Sequence, residues 1–329
     1  MTSSTSRASK SWTAANCTDL TSYIAHTPSA LKTLLVLTGP TAVGKTQVAL
    51  RLAARYGTPV LNADSRQIYR DLPIGTAAPT PQEQAQARHY FVGTLGLDAY
   101  YSAAQYEADV LALLPEFFRE RDVVLLSGGS MLYIDAVCNG LDDIPTIEAP
   151  VRAMMRLRLE SEGLDALVEE LRLLDPEYFA EVDRRNTQRV VHALEVLYQT
   201  GRKMSSFRRR NTQERPFRTV KVALNRPRAE LFERINRRVT QMMDDGLWEE
   251  LLRVKDFRSS NALNTVGYKE LFHVLDGEWE LPFALDRIRK NTRVYAKKQL
   301  TWFRRDPAVH WVPADDAEAL DRTLLACGL

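Results

Sequence analysis

Cysteine is scarce in this sequence, which has three among 329 residues and no CxxC pair. That scarcity excludes a disulfide framework and a cysteine-based zinc site, and it is typical of a reducing compartment. Long hydrophobic runs are also missing, because no apolar stretch approaches the roughly 20 residues that cross a bilayer. The sequence therefore predicts neither a membrane protein nor a disulfide-stabilised one.

Acidic residues are rare at the start of the chain, where residues 1–30 hold only Asp19 among many Ser, Thr and Ala. This stretch lacks the apolar segment of a secretory signal. A mitochondrial presequence shares the composition but usually has more arginine than the single Arg7 found here. We expect residues 1–32 to form a disordered extension.

The net charge of the chain is only +2, but the charge is unevenly distributed. Residues 98–183 contain 6 Lys or Arg and 19 Asp or Glu, whereas residues 184–310 contain 28 and 15. Such a basic half favours a polyanionic partner. A solvated helical surface is the alternative, and charge alone does not decide between the two.

A phosphate-binding pattern follows the apolar run at residues 33–39. Gly39, four further residues and then Gly44, Lys45 and Thr46 match the pattern GxxxxGK[ST]. In such a loop the backbone N–H groups and a helix N-terminus point at phosphate oxygens, and the hydroxyl can bind Mg²⁺. The predicted phosphate-binding residues are Gly39, Pro40, Thr41, Ala42, Val43, Gly44, Lys45 and Thr46.

Short apolar runs alternate with helical patterns along the core of the sequence. Buried strands are predicted at residues 33–39, 59–65, 122–130 and 218–226. This alternation predicts an α/β fold, a doubly wound parallel sheet of the P-loop type that binds ligands at the carboxyl ends of its strands. Gly39, Asp64 and Ser130 stand at such ends, so we expect them to meet in one crevice.

Strand patterns disappear between residues 143 and 214, where amphipathic helical patterns end at Pro or Gly. We expect a helical insertion domain over residues 143–214. The P-loop core would comprise residues 33–142 and 215–329. Two long helices are predicted after the last strand, over residues 228–254 and 282–306.

A nucleotide hydrolase usually has a carboxylate at the end of a strand that helps to hold Mg²⁺. The run at residues 122–130 lacks this carboxylate and ends in Ser and Gly. Asp64 is the carboxylate at a strand end. It fits the base of a small-molecule kinase that uses ATP, and it also fits an N-cap for the next helix. A non-catalytic RNA-binding protein with a relic loop is a third alternative.

Nine motifs occur in order along residues 33–312. They are GPTAVGKT, DSRQIY, IGTAAP, YSAAQYEADV, GGSMLYIDAV, RRNTQRVVHALEV, RINRRVTQMMDDGLWEE, NTVGYKEL and KKQLTWFRRD. Together they resemble the tRNA dimethylallyltransferase (tRNA isopentenyltransferase) family. Cys327 stands alone near the end of the sequence, whereas eukaryotic relatives have a zinc finger, so we expect the bacterial, cytoplasmic type. We also expect a monomer.

The resemblance implies that the loop holds the diphosphate of dimethylallyl diphosphate rather than ATP, with Mg²⁺ on Thr46. The family transfers the dimethylallyl group to the exocyclic N6 amine of the adenosine 3′ of the tRNA anticodon and releases diphosphate. By resemblance Asp64 accepts the amine proton, and Lys45 stabilises the leaving group. Ser130 stands where the family usually has Thr, and its hydroxyl would hydrogen-bond near the reacting groups.

The resemblance also implies contacts with tRNA, including contacts from the helical insertion domain over residues 143–214. The reactive adenosine must leave its stack to react. The implied contact residues in the first half of the chain are Asp64, Ser65, Arg66, Gln67, Ser130, Arg152, Gln188, Arg189, Val190, Val191 and His192. Those in the second half are Asn264, Thr265, Val266, Gly267, Tyr268 and Lys269, together with residues 292–299. Two further positions depart from the family, since Pro73 replaces an acid and Ala78 replaces a lysine.

A basic stripe is predicted independently of the resemblance. Lys290, Arg293, Lys297 and Arg304 follow one another at spacings of 3, 4 and 7, which places them on one face of a helix. We expect Lys290, Arg293 and Lys297 to contact RNA phosphates. A solvated helix face is the alternative.

Overall fold

A parallel six-stranded sheet forms the centre of the fold. The structure, a computed structural model, describes residues 32–208 and 213–329, so the extension predicted over 1–32 lies outside the described residues except for Lys32. The strands are β1 (Thr33–Thr38), β2 (Val60–Ala63), β3 (His89–Tyr90), β4 (Val123–Gly128), β5 (Arg218–Asn225) and β6 (Val309–Pro313). Their order across the sheet is β3-β2-β4-β1-β5-β6.

Both faces of the sheet are buried. Leu35 and Leu37 of β1 pack into the hydrophobic cluster on one face, and Leu34 and Val36 pack into the cluster on the other. A strand buried on both faces requires the continuous apolar run seen at residues 33–38, because successive side chains point to opposite sides. The predicted doubly wound parallel architecture is confirmed.

The described part of the chain contains thirteen α-helices in addition to the sheet. The first four are α1 (Lys45–Tyr56), α2 (Pro81–Gln86), α3 (Ala103–Glu120) and α4 (Met131–Asn139). The last five are α9 (Arg228–Asp244), α10 (Leu247–Val254), α11 (Tyr268–Leu275), α12 (Leu281–Phe303) and α13 (Ala317–Ala326). Across the described ranges, no helix combines the length and apolar character that a bilayer crossing requires.

Four helices occupy the stretch predicted as an insertion, and the described residues there contain no strand. They are α5 (Ala149–Leu174), which bends at Gly163, α6 (Pro176–Glu181), α7 (Thr187–Thr200) and α8 (Met204–Phe207). Their buried side chains, such as Met155, Leu167 and Leu194, form a hydrophobic cluster of their own. The helical character is as predicted, and the domain boundaries at 143 and 214 stay a prediction.

Three details differ from the sequence-based prediction. The single helix expected over residues 228–254 is two helices, α9 and α10, because Gly246 between them adopts a positive φ of 97° that breaks the helical path. Strands β3 and β6 were not predicted. They are short edge strands at the two ends of the sheet, where little burial is needed to hold a strand.

The strand register brings three chain segments together at one edge of the sheet. Leu37 of β1 lies opposite Ser127 of β4, and Ala63 of β2 lies opposite Gly128 of β4. The residues that follow these strands therefore emerge side by side at their carboxyl ends. This arrangement places residues of the glycine loop, Asp64 and Gly129 around one crevice, whereas Gly39 and Ser130, which the sequence also predicted there, are not among its lining residues.

Candidate active site

The glycine loop connects β1 to the start of α1 at Lys45. A Cβ atom on Gly39 would lie 2.6 Å from the backbone oxygen of Leu224, and its φ of 136° is open only to glycine. Ala42 and Gly44 also have positive φ values, of 65° and 110°. The loop thus curls tightly around the N-terminus of α1, which is the geometry that directs N–H groups at a phosphate.

Three arginines hold the loop from outside. The Nε atom of Arg226 donates to the backbone oxygen of Val43 at 2.9 Å, and Nε of Arg234 donates to that of Ala42 at 2.8 Å. Arg226 also pairs through Nη1 with Glu230 and Asp315, whereas the remaining N–H groups of Arg234 make no further bond to the described residues and stay available to an anion at the loop.

The third arginine, Arg238, donates through Nη1 to the hydroxyl of Thr41 at 3.4 Å. Burial and the neighbouring Arg234 lower the pKa of Arg238. Cations crowded in this way favour the binding of an anion, which would relieve their mutual repulsion.

Lys45 lies at the centre of the cations. Its Nζ atom donates to the backbone oxygens of Gly39 and Pro40, both at 3.0 Å. Burial, opposed by Asp64 and reinforced by Arg238, lowers the pKa of Lys45 to about 8. An anion bound at the loop would therefore stabilise the charged form of Lys45.

Asp64 follows β2 directly, and its Oδ1 atom accepts from the backbone N–H groups of Arg66 at 2.9 Å and Gln67 at 3.4 Å. Its other carboxylate oxygen accepts no hydrogen bond from the described residues. One oxygen thus fixes the carboxylate in the turn while the other is free for a reacting group. No helix follows Asp64, because residues 65–68 form a turn, so the interpretation as a helix N-cap is wrong and the carboxylate caps that turn instead.

Ser130 lies beside this turn. Its Oγ atom accepts from the backbone N–H of Ser65 at 2.8 Å and donates to the Ser65 hydroxyl at 3.2 Å. Ser130 therefore fixes the turn that carries Asp64 in addition to any contact with a substrate.

Two cavities meet at Asp64. The first, of about 100 Å³, is lined by the glycine loop, Lys45 and Thr46. The second, of about 300 Å³, has several apolar wall residues, which are Ile235, Val239, Met242, Val266 and Ile288. Both cavities are lined by Thr41, Asp64, Thr76, Ala77, Arg238 and Tyr295. The carboxylate thus lies between a cationic cavity and a less polar one.

Gln299 of α12 connects two segments of the site. It is 1% exposed, accepts from the backbone N–H of Thr41 at 2.8 Å and donates to the backbone oxygen of Gly129 at 2.8 Å. This amide therefore fixes α12 against both the glycine loop and the segment after β4.

The segment with the two departures from the family is held by a buried carboxylate. Glu250, which is fully buried, accepts from the backbone N–H groups of Ile74 at 2.9 Å and Gly75 at 2.8 Å. The backbone N–H of Ala78 donates to the oxygen of Pro73 at 2.9 Å. The segment therefore keeps its shape through backbone bonds that need neither an acid at 73 nor a lysine at 78.

Some of the predicted tRNA contacts surround the second cavity. Asp64, Ser65, Arg66 and the loop residues Asn264, Thr265, Val266 and Gly267 line it, and Gln67 lines the first cavity. Tyr268 points away from solvent, fully buried, and its hydroxyl donates to Glu250 at 2.5 Å. Lys269 is exposed.

Other predicted contacts lie outside both cavities. Arg152 of α5 stacks its guanidinium 4.3 Å from the ring centre of Tyr100, before α3. At the start of α7, Gln188 and Arg189 are exposed and Val191 and His192 are half-buried, whereas Val190 is fully buried in the cluster of α5–α8. Whether these residues contact tRNA stays a prediction.

The predicted basic stripe is only partly exposed. Lys290 and Lys297 of α12 are exposed. Arg293, in contrast, donates through Nη1 to Oδ1 of Asn236 at 2.7 Å, which ties α12 to α9. The fourth member, Arg304, is exposed just after the last residue of α12, and its guanidinium lies 5.7 Å from the ring centre of Trp311. The stripe thus contains one cation with a structural role, Arg293, and three exposed ones.

Sequence reasoning missed Arg226, Arg234 and Arg238 as loop residues and counted them only in the net charge. The spacing of Arg234 and Arg238, at i and i+4 on α9, was the available signal, because it places both on one helix face. It did not reveal that this face meets the glycine loop.

The oxygen atoms available to a metal at the loop are few. Within residues 32–208 and 213–329, no three His, Cys, Asp or Glu side chains gather as a metal site. Thr46 and Asp64 line the same cavity. Mg²⁺ commonly takes one or two protein oxygens together with substrate phosphates, so these two residues fit Mg²⁺ bound with a diphosphate.

Known proteins resemble the chain over most of its length. The family model for IPP transferase matches residues 67–306. tRNA dimethylallyltransferase 1 of Phocaeicola vulgatus is 58% identical over 283 residues, which is 86% of this chain and 94% of the relative. The protein of the same name from Bacteroides thetaiotaomicron is 54% identical and covers 88% of this chain and 95% of its own length.

Solved structures agree with these relatives. The full-length tRNA isopentenylpyrophosphate transferase of Bacillus halodurans superimposes with a TM-score of 0.66 at 32% identity, over 90% of this chain and 96% of its own. A eukaryotic dimethylallyltransferase acting on tRNA has a TM-score of 0.74 over 90% of this chain and 77% of its own, and its 24% identity supports the fold alone. The chain therefore belongs to the IPP transferase family, together with the tRNA dimethylallyltransferases and the tRNA isopentenylpyrophosphate transferase to which it is similar.

Proposed function

We propose that this chain transfers the dimethylallyl group of dimethylallyl diphosphate to the N6 amine of the adenosine 3′ of the anticodon in tRNA. The amine nitrogen forms a bond to the first carbon of the dimethylallyl group, the bond from that carbon to the diphosphate oxygen breaks, and diphosphate leaves. The amine loses one proton, which Asp64 accepts. Atoms and charge balance without a water or a further reactant.

The position of Asp64 at the junction of the two cavities is the observation that carries this proposal. A base for this reaction must touch the amine where it meets the reacting carbon. That point lies between the place of the diphosphate and the place of the adenine. The free oxygen of Asp64 lies at such a junction, with cations on one side and a less polar wall on the other.

The cationic cavity suits the leaving diphosphate. Negative charge grows on its oxygen as the carbon–oxygen bond breaks, so donors fixed in advance stabilise the transition state more than the substrate. Lys45, Arg234 and Arg238 surround the loop and supply such donors. Mg²⁺, held by the Thr46 hydroxyl, would neutralise further diphosphate charge when bound.

The second cavity suits the acceptor. An adenine extruded from the anticodon loop needs a slot with apolar walls and a few polar atoms. Ile288 and Val266 supply such walls, and Asn264, Ser65 and Arg66 supply polar groups at the rim. We infer that the acceptor is a single base of tRNA, delivered to a monomer in the cytoplasm.

A direct test is to incubate the protein with Mg²⁺, undermodified tRNA and either dimethylallyl diphosphate or ATP, and to follow the mass of the tRNA. The proposal expects one dimethylallyl group per tRNA with the diphosphate and no reaction with ATP alone. Phosphate transfer from ATP would support the small-molecule kinase instead. Tight tRNA binding without any mass change would support a non-catalytic RNA-binding protein.

Donor choice gives a second prediction, which needs no tRNA. A ligand that binds the folded state at one hundred times its Kd raises the free energy of unfolding by about 2.7 kcal/mol. In Mg²⁺, dimethylallyl diphosphate should therefore raise the melting temperature by several degrees, and ATP at the same concentration should raise it less. Strong protection by ATP with none by the diphosphate would contradict the assignment of the donor.

A further inference from the structure

A large groove runs between α9 and α12 on the side of these helices away from the active site. Its volume is about 720 Å³. The lining residues of α9 are Glu233, Asn236, Arg237 and Thr240, and those of α12 are Asp286, Arg287, Arg289, Lys290 and Arg293. None of them lines the two cavities at Asp64.

The helical rotation of α9 separates the groove from the active site. Ile235, Val239 and Met242 line the cavity beside Asp64, whereas Asn236 and Thr240 line the groove. Successive residues of a helix are rotated by roughly 100°, so these two sets lie on different faces of α9.

The same separation holds on α12. Ile288 and Thr292 line the cavity, and Arg289, Lys290 and Arg293 line the groove. The groove and the cavity beside Asp64 therefore lie on different faces of the same pair of helices.

Cations dominate the groove, with four arginines and one lysine against two carboxylates. Two of the arginines are fixed by partners at its floor. Arg289 donates to Oδ1 of Asp286 at 2.8 Å, and Arg293 donates to Asn236 at 2.7 Å.

The other three cations have no ion-pair partner among the described residues. Arg237 and Lys290 are exposed and make no hydrogen bond or ion pair with the described residues. The Nε atom of Arg287 is buried and donates to no acceptor in the described part of the protein. Arg287 as a whole is half-buried, and it lines the groove without an ion-pair partner among the described residues.

Phosphate is the anion that this donor set recognises best, because a guanidinium presents its N–H groups in a fork that matches phosphate oxygens. A single inorganic phosphate would fill a small part of 720 Å³ and meet only some of the five cations. A row of phosphates along a nucleic-acid backbone would meet them at successive positions.

We propose that this groove binds backbone phosphates of the tRNA outside the loop whose adenosine enters the cavity at Asp64, an inference that rests on the proposed function. Arg237, Arg287 and Lys290 make the phosphate contacts, while Arg289 and Arg293 hold the two helices in register. The groove is thereby a second contact that fixes the body of the tRNA while the anticodon loop reacts at a different face of the two helices.

The test is the salt dependence of tRNA binding by a variant with Arg237→Gln, Arg287→Gln and Lys290→Gln. Each lost phosphate contact should flatten the slope of log affinity against log salt concentration by roughly 0.7 to 1, so a total change of about two to three is expected. Affinity for full-length tRNA should fall at least about tenfold at 0.15 M salt. The loss of affinity for an isolated anticodon stem-loop should be several-fold smaller.

A matched control removes the same charge elsewhere, through Arg51→Gln, Arg119→Gln and Arg322→Gln on exposed faces of α1, α3 and α13. The control should keep the wild-type slope. A second variant with only Arg237→Gln and Lys290→Gln leaves Arg287 in place, which protects folding, and should flatten the slope by about one to two. Equal slopes for wild type and both groove variants would overturn the proposal.

A titration with inorganic phosphate tests whether the groove binds free phosphate instead of the backbone phosphates of tRNA. If millimolar phosphate raises the melting temperature of the wild type but not of the triple variant, and tRNA slopes are equal, the groove is a site for free phosphate and the proposal is wrong. Modification of saturating tRNA by the wild type is measured separately. Its failure would contradict the proposed function, whereas equal slopes with intact modification contradict only the groove.

Discussion

Asp64→Asn is expected to lower the rate of prenyl transfer by about 10²–10⁴, the usual contribution of a general base. An adenine amine is a weak nucleophile because its lone pair is delocalised into the ring, so removal of its proton assists bond formation. Asparagine keeps the shape of the side chain and, through its oxygen, the bonds from the backbone N–H groups of Arg66 and Gln67. It cannot accept the proton.

Single-turnover measurements with saturating donor and tRNA report this step. The affinity for tRNA should change much less than the rate, since the turn that carries residue 64 keeps its backbone bonds. Asp71→Asn is the matched control, because Asp71 is exposed on the same segment and lines neither cavity. Near-normal turnover in Asp64→Asn would show that the base is another group.

The central strands of the sheet could be predicted from the sequence, because a strand that is buried on both faces has a continuous apolar run. Residues 33–38 and 123–128 show such runs, and both are central strands. The edge strands β3 and β6 gave no comparable signal, because they pair on one side only and are two and five residues long. Their formation depends on neighbours that the local sequence does not specify.

The glycine loop and Asp64 could likewise be found from sequence, because each requires particular residues at adjacent positions. The contacts of Gln299 and Arg234 could not. These side chains meet the loop from 258 and 192 residues away along the chain. Such contacts arise from the packing of α9 and α12 against the sheet, which spacing alone does not determine.

Lys45→Met is expected to reduce turnover by about 10²–10³ and to weaken diphosphate binding, as the loss of one fixed donor at a developing charge usually does. Methionine keeps most of the length and apolar character of the side chain but removes the ammonium group. The substitution should also abolish the pH dependence of diphosphate affinity that results from the burial of Lys45. Lys255→Met is the control, because Lys255 is exposed after α10, lines neither cavity and is not among the implied tRNA contacts.

The sign of this pH dependence follows from the lowered pKa of Lys45, about 8 in the free protein. A bound diphosphate stabilises the ammonium form and raises that pKa, so above pH 8 binding must take up a proton. Wild-type affinity for the diphosphate should therefore fall by up to about tenfold per pH unit above pH 8, and stay level in Lys45→Met. Calorimetric titrations at pH 9 in two buffers of different ionisation enthalpy would measure the proton uptake directly. Equal uptake in wild type and Lys45→Met would assign the titration to another group.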